Sequence, residues 1–171
     1  MTILLLFLLF FILRMGTLMV SIQNEKRLKG RGAVEFGKQN SLVLAVLHVI
    51  FYIAAIVESL IRGARFDGWS VAGIILFSFS YLVLLLVIYQ LRQIWTVKLY
   101  ILKEQQINKS FLFKYVRHPN YFLNIVPELI GIGFLCHAWY SMDLLLPLYA
   151  IPFIVRIVQE EKVMKAHFAD F

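Results

Sequence analysis

The stretch WSVAGIILFSFSYLVLLLVIYQL, residues 69–91, decides the fold class, because it runs without a single charged side chain. A helix of about 20 apolar residues is long enough to cross the ~30 Å hydrocarbon core of a bilayer. Hydrophobic residues also make up 61% of the whole chain, whereas a soluble domain holds about 45–50%. We therefore expect an all-α integral membrane protein.

Four further segments are similarly apolar, and the sequence predicts transmembrane helices at residues 2–22, 41–60, 69–91, 121–139 and 142–158. The predicted architecture is a bundle of five transmembrane helices in a single membrane domain, residues 1–171. The last two helices are expected to form an antiparallel hairpin with its turn at Tyr140-Ser141. Cys136, the only cysteine, lies in an apolar run and is expected to be buried.

The basic residues predict how the chain sits in the membrane. Fourteen of the 17 Lys and Arg residues fall in two loops and the C-terminal segment on one side, while Arg62 and Arg65 fall on the other. The positive-inside rule then places the N-terminus outside and the C-terminus in the cytoplasm, in the plasma membrane of a prokaryote. This topology explains the net charge of +7 better than nucleic-acid binding does.

Two polar clusters flank the last hydrophobic segments, and both are predicted to lie on the cytoplasmic side. The first is Arg117-His118-Pro119-Asn120-Tyr121, in which Pro119 suits the first turn of a helix whose free N–H groups attract anions. The second contains Arg156 and Glu160, which lie four apart and share one helix face. A helix cap at the headgroups and an exposed salt bridge are the simpler interpretations. However, charges beside hydrocarbon are costly unless they pair or meet a ligand.

Ionisable residues inside predicted spans are functional candidates by default. Arg14 lies in the first span and Glu128, directly after Pro127, in the fourth. Glu128 is expected to neutralise Arg14, to cap a helix broken at Pro127, or to stay protonated. No spacing of His, Asp or Glu suggests a metal site.

At the two clusters the chain resembles the isoprenylcysteine carboxyl methyltransferase family of integral membrane enzymes. The resemblance covers about the C-terminal half. It rests on Trp95-Thr96, on residues 109–121 with their Arg-His-Pro-Asn-Tyr ending, and on Arg156-Ile157-Val158-Gln159-Glu160-Glu161. Two positions depart from the family pattern, since Phe111 replaces a glycine and Phe113 replaces a tyrosine.

The resemblance implies S-adenosylmethionine as cofactor and a lipid-like methyl acceptor, isoprenoid or polyketide-type, that reacts at a carboxylate or a hydroxyl. It implies cofactor contacts at Gln105, Gln106, Ile107, Asn108, Phe113, His118, Pro119, Asn120, Tyr121 and Glu160. It also implies that Arg156 and Arg117 meet the acceptor, and that Arg156, Glu160 and Glu161 take part in catalysis.

Two other interpretations stay open at this point. NADPH-dependent membrane reductases related to steroid reductases carry a similar Arg-His-Pro-Asn-Tyr element, usually followed by Gly-Glu, where this chain has Leu123-Asn124. A membrane protein without enzymatic activity would leave Arg156, Glu160 and His118 without a task.

Overall fold

A computed structural model of the protein describes residues 1–102, 116 and 118–167. Within these ranges the chain forms five main helices: α1 (Thr2–Gly30), α2 (Lys38–Ile61), α3 (Gly68–Leu91), α4 (Asn120–Cys136) and α5 (Trp139–His167). The first six residues of α4, Asn120–Ile125, are wound as a π-helix, and the α-helical part follows as Val126–Cys136.

The helices confirm the expected α-helical integral membrane protein. Four of them, α1, α2, α3 and α5, are long and apolar enough to cross a bilayer, whereas α4 is a shorter apolar helix. That α4 also crosses the membrane, which would make five spans, therefore stays a prediction. Cys136 is buried, as its apolar surroundings indicated.

Helix α4 lies at the centre of the bundle and contacts each of the other four helices, most extensively α3. Two glycines let α3 and α4 approach at the level of their backbones. A Cβ atom built on Gly131 would lie 2.8 Å from the backbone nitrogen of Phe77 and 2.9 Å from the carbonyl oxygen of Gly73. Small residues at such crossings are the usual way in which membrane helices pack closely.

The predicted turn between the last two helices was wrong by a few residues. The chain reverses at His137, which adopts a left-handed conformation with φ 54°, and α5 already begins at Trp139. Tyr140 and Ser141 lie in the first turn of α5, where their backbone N–H groups donate to the Glu58 carboxylate over 3.1 and 2.8 Å. An anion at these unpaired donors stabilises a helix start, so Glu58 stabilises the first turn of α5.

A small antiparallel sheet, which the sequence analysis did not predict, closes the opposite end of the bundle. Strand β1 (Val34–Phe36) follows α1 and pairs with β2 (Leu99–Ile101), with Glu35 opposite Tyr100. The Tyr100 hydroxyl lies 2.8 Å from Glu35 and 3.0 Å from Glu25. The sheet thus connects the segment after α3 to the loop between the end of α1 and the start of α2.

Candidate functional site

The start of α4 is built by His118 and Pro119. The carbonyl oxygen of His118 accepts hydrogen bonds from the backbone N–H groups of Tyr121 and Phe122, at 3.0 and 3.1 Å. Pro119 is fully buried at the helix start, where its missing N–H has no structural cost. The π-helical winding that follows is a feature that often marks functional sites.

The His118 ring lies between two carboxylates of α5. Its Nδ1 is 3.6 Å from Glu160 and its Nε2 is 3.5 Å from Glu161, while the ring stacks on Tyr121 with a centroid distance of 5.5 Å. Burial lowers the pKa of His118, but the interaction with Glu160 and Glu161 outweighs it, so the pKa is raised above its ordinary value. The site therefore favours an imidazolium beside two carboxylates.

Arg156 is buried at the same end of the bundle, with only 4% of its surface exposed. Each nitrogen of its guanidinium has a neutral partner: Nε donates to the Tyr121 hydroxyl (3.1 Å), and the two terminal nitrogens donate to Ser41 Oγ (2.7 Å) and to the Val97 carbonyl (3.2 Å). Helices α2, α4 and α5 and the segment after α3 therefore converge on one side chain. An exposed salt bridge, the simpler interpretation of the sequence, does not describe this residue.

Tyr121 connects Arg156 and Glu160, the two residues that their spacing of four places on one face of α5. Its hydroxyl accepts from Arg156 and donates to the Glu160 carboxylate in a short hydrogen bond. Glu160, His118, Tyr121 and Arg156 thus form one continuous group, which we call the Tyr121 site.

The ionisable residues inside the bundle form a second group, about two helical turns deeper. Arg14 forms a bidentate ion pair with Glu128, which is fully buried. The Tyr52 hydroxyl donates to Glu128 over 2.6 Å, and His48 Nε2 lies 3.4 Å from it. Of the three roles considered for Glu128, the geometry supports neutralisation of Arg14.

Several predicted contact residues lie outside the described part of the chain: Gln105, Gln106, Ile107, Asn108, Phe113 and Arg117. Asn120 is described, and its side-chain oxygen accepts a hydrogen bond from Asn124 over 3.0 Å. Sequence analysis missed Ser41 and Tyr52, since a serine at a helix start and a tyrosine in an apolar run carry no distinctive signal.

Fold and site together define an integral membrane protein with a buried polar site at one end of a helical bundle. Residues 73–166, which include all four residues of the Tyr121 site, match the family described as the isoprenylcysteine carboxyl methyltransferase (ICMT) family. The chain belongs to this family of membrane methyltransferases.

Two relatives span nearly the whole chain. An uncharacterized protein of Haemophilus influenzae is 51% identical over 152 residues, which cover 89% of this chain and 88% of the relative. The protein YpbQ of Bacillus subtilis, also described as uncharacterized, is 27% identical over 156 residues, which cover 90% and 91%. No solved structure matches the chain.

Proposed function

We propose that this protein is an S-adenosylmethionine-dependent O-methyltransferase that acts at the membrane on a carboxylate or hydroxyl of a lipid-like acceptor, isoprenoid or polyketide-type. The observation that carries the proposal is the Tyr121 site, where a buried guanidinium and a carboxylate share one phenol beside an imidazole. The family to which the chain belongs supplies the reaction type, methyl transfer.

The residues at the start of α4 fit a cofactor that carries both a cation and an anion. Neither ring nitrogen of His118 forms a hydrogen bond within the described part of the chain, although both are buried. One of the two N–H groups of a protonated imidazole can donate to a carboxylate of the cofactor while the other stays beside a glutamate. The carboxylates of Glu160 and Glu161 suit the cation or the hydroxyl groups of the cofactor. When bound, S-adenosylmethionine supplies an electrophilic methyl group.

Cofactor binding is assigned to the residues that the sequence pointed to. His118, Pro119, Asn120, Tyr121 and Glu160 would contribute from the described part of the chain. Gln105, Gln106, Ile107, Asn108 and Phe113 would contribute from the segment that lies outside it.

Arg156 is the residue best suited to hold the acceptor. A guanidinium has five N–H donors, and within the described part of the chain the hydrogen bonds of Arg156 to Tyr121, Ser41 and Val97 use three of them. These partners are neutral, so an incoming carboxylate would bring both a countercharge and a planar match to the remaining donors. Arg117 is proposed as a second contact with the acceptor.

The two acceptor types make different demands on the acidic residues. A carboxylate is already ionised at neutral pH and needs only to be aligned with the methyl group in a site that excludes water. A hydroxyl would have to lose its proton, and Glu160 or Glu161 would then act as the base.

The position of the site supports separate routes of access for the cofactor and the acceptor. The starts of α2 and α4 and the last turns of α5 meet at the end of the bundle where the sequence concentrates its basic residues. We assign this end to the cytoplasmic face of a prokaryotic plasma membrane. The cofactor would then arrive from the cytoplasm and the acceptor sideways from the bilayer.

Transfer of a labelled methyl group tests the proposal. The purified protein is incubated with methyl-labelled S-adenosylmethionine and a lipid extract of its host, and the products are identified by mass analysis. Label in an apolar product, lost in an Arg156→Ala variant, is the expected result. Absence of labelled product, together with oxidation of NADPH by the same extract and protein, would favour a reductase instead.

A further inference from the structure

A group of polar side chains occupies the apolar interior of the bundle. We call it the intramembrane cluster and define it as Arg14, His48, Tyr52, Asn124 and Glu128. Its centre is Glu128, which is completely buried and paired with Arg14. Ionised groups are expensive at this depth, and a buried ion pair is often no more stabilising than well-packed apolar residues. Stability alone therefore does not account for it.

The guanidinium of Arg14 has a second partner besides the carboxylate. Nε and one terminal nitrogen meet Glu128, and the other terminal nitrogen donates to the side-chain oxygen of Asn124 over 3.3 Å. Because the planar group has its donors in a fixed fork, the ion pair also fixes the direction of the bond to Asn124.

Asn124 carries this orientation to the proposed cofactor site. Its oxygen faces Arg14, so its NH2 group donates in the other direction, to the side-chain oxygen of Asn120 over 3.0 Å. Asn120 is thereby held by its oxygen, and its own NH2 group, which makes no hydrogen bond within the described part of the chain, can donate to a ligand. Both asparagines lie in the π-helical turn Asn120–Ile125, next to Tyr121.

We propose that Arg14 is a positioning residue for the cofactor site, acting through Asn124 on the side chain of Asn120. The inference rests on the proposed function, because it takes Asn120 to be a cofactor contact. Glu128 holds the guanidinium in place, and the fork of Arg14 sets the orientation of both asparagines.

The sharpest variant is Arg14→Lys, which keeps the positive charge. One ammonium group can pair with Glu128, but it does not reproduce the planar fork that also reaches Asn124. Arg14→Lys should weaken S-adenosylhomocysteine binding about 10-fold or more, the effect of losing one well-placed hydrogen bond. Asn124→Ala should do the same, and it leaves the Arg14–Glu128 pair intact.

Tyr52→Phe is the matched control. It removes a hydrogen bond to Glu128 without touching the bond between Arg14 and Asn124. Tyr52→Phe should lower the melting temperature but leave the affinity for S-adenosylhomocysteine within about 2-fold of wild type. If the cluster had a purely structural role, variants with similar losses of stability would show similar losses of affinity.

A double variant tests whether Arg14 acts through Asn120. In an Asn120→Ala background, Arg14→Lys should cause no further loss of S-adenosylhomocysteine affinity, measured by titration calorimetry on folded protein in detergent. If the two substitutions instead reduce the affinity independently, so that their fold-losses multiply, the result would contradict an action of Arg14 through Asn120. Wild-type affinity in Arg14→Lys or in Asn124→Ala would overturn the positioning role alone. A wild-type protein that does not bind S-adenosylhomocysteine would overturn the proposed function, and this inference with it.

Discussion

Arg156 and Glu160 lie one turn apart on α5, and the hydroxyl of Tyr121 joins them: it accepts from the guanidinium and donates to the carboxylate. A direct pair would neutralise both charges. With the phenol between them, the guanidinium keeps donors for an acceptor, and the carboxylate keeps one oxygen near His118. The connection therefore keeps both charges available to ligands, consistent with one site for two ligands.

Tyr121→Phe should destabilise the protein by about 1–3 kcal/mol, because the buried Arg156 loses an acceptor and the partly buried Glu160 loses a donor. The free energy of unfolding in detergent measures this loss. Tyr89→Phe, the same change at a tyrosine that is 70% exposed, serves as control and should have little effect. Equal stability of the two variants would show that the phenol does not link the two charges.

Arg156→Lys should lower the rate of methyl transfer by about 10- to 1000-fold, which corresponds to ~1.4–4 kcal/mol of transition-state stabilisation. Lysine keeps the charge but loses the planar group that can meet a carboxylate. Affinity for S-adenosylhomocysteine should change much less. Ser41→Ala is the matched control, since it removes one partner of Arg156 and leaves the guanidinium. Near-wild-type turnover by the lysine variant would remove Arg156 from acceptor binding.

The raised pKa of His118 predicts a pH dependence of stability in the ligand-free protein. A group whose pKa is higher in the folded state stabilises that state fully below its unfolded pKa of about 6.5. The contribution disappears as the pH rises through the folded pKa. The melting temperature of wild type minus that of His118→Gln should therefore decrease from about pH 6 upward. A difference that grows with pH would contradict the imidazolium between Glu160 and Glu161.

Cysteine labelling tests the orientation that places the Tyr121 site in the cytoplasm. In a Cys136→Ala background, a cysteine at Arg65 should react with a membrane-impermeant maleimide on intact cells. A cysteine at Lys29 should react only after the cells are permeabilised. The reverse pattern would place the site outside and separate it from a cytoplasmic cofactor.

The sequence predicted the apolar helices well, because hydrophobic length is a local property of the chain. It also indicated the residues of the Tyr121 site that share one helix or adjoin one proline, such as Arg156, Glu160 and His118. Contacts between distant segments could not be predicted from the sequence: Ser41 meets Arg156 across 115 residues, and pairing with Arg14 was only one of three roles considered for Glu128. The turn at His137 was misplaced, and the contact of Glu58, from another helix, that stabilises the first turn of α5 could not be predicted from the local sequence.

Calorimetric titration of the purified protein with S-adenosylhomocysteine and, separately, with NADPH tests the central claim most directly. We expect S-adenosylhomocysteine to bind, and His118→Ala and Glu160→Gln each to weaken binding by about 1.5–3 kcal/mol through loss of a charge-assisted hydrogen bond. S-adenosylhomocysteine at a free concentration of 100 times its Kd should also raise the free energy of unfolding of the wild type by about 2.7 kcal/mol. Binding of NADPH without binding of S-adenosylhomocysteine would contradict the account.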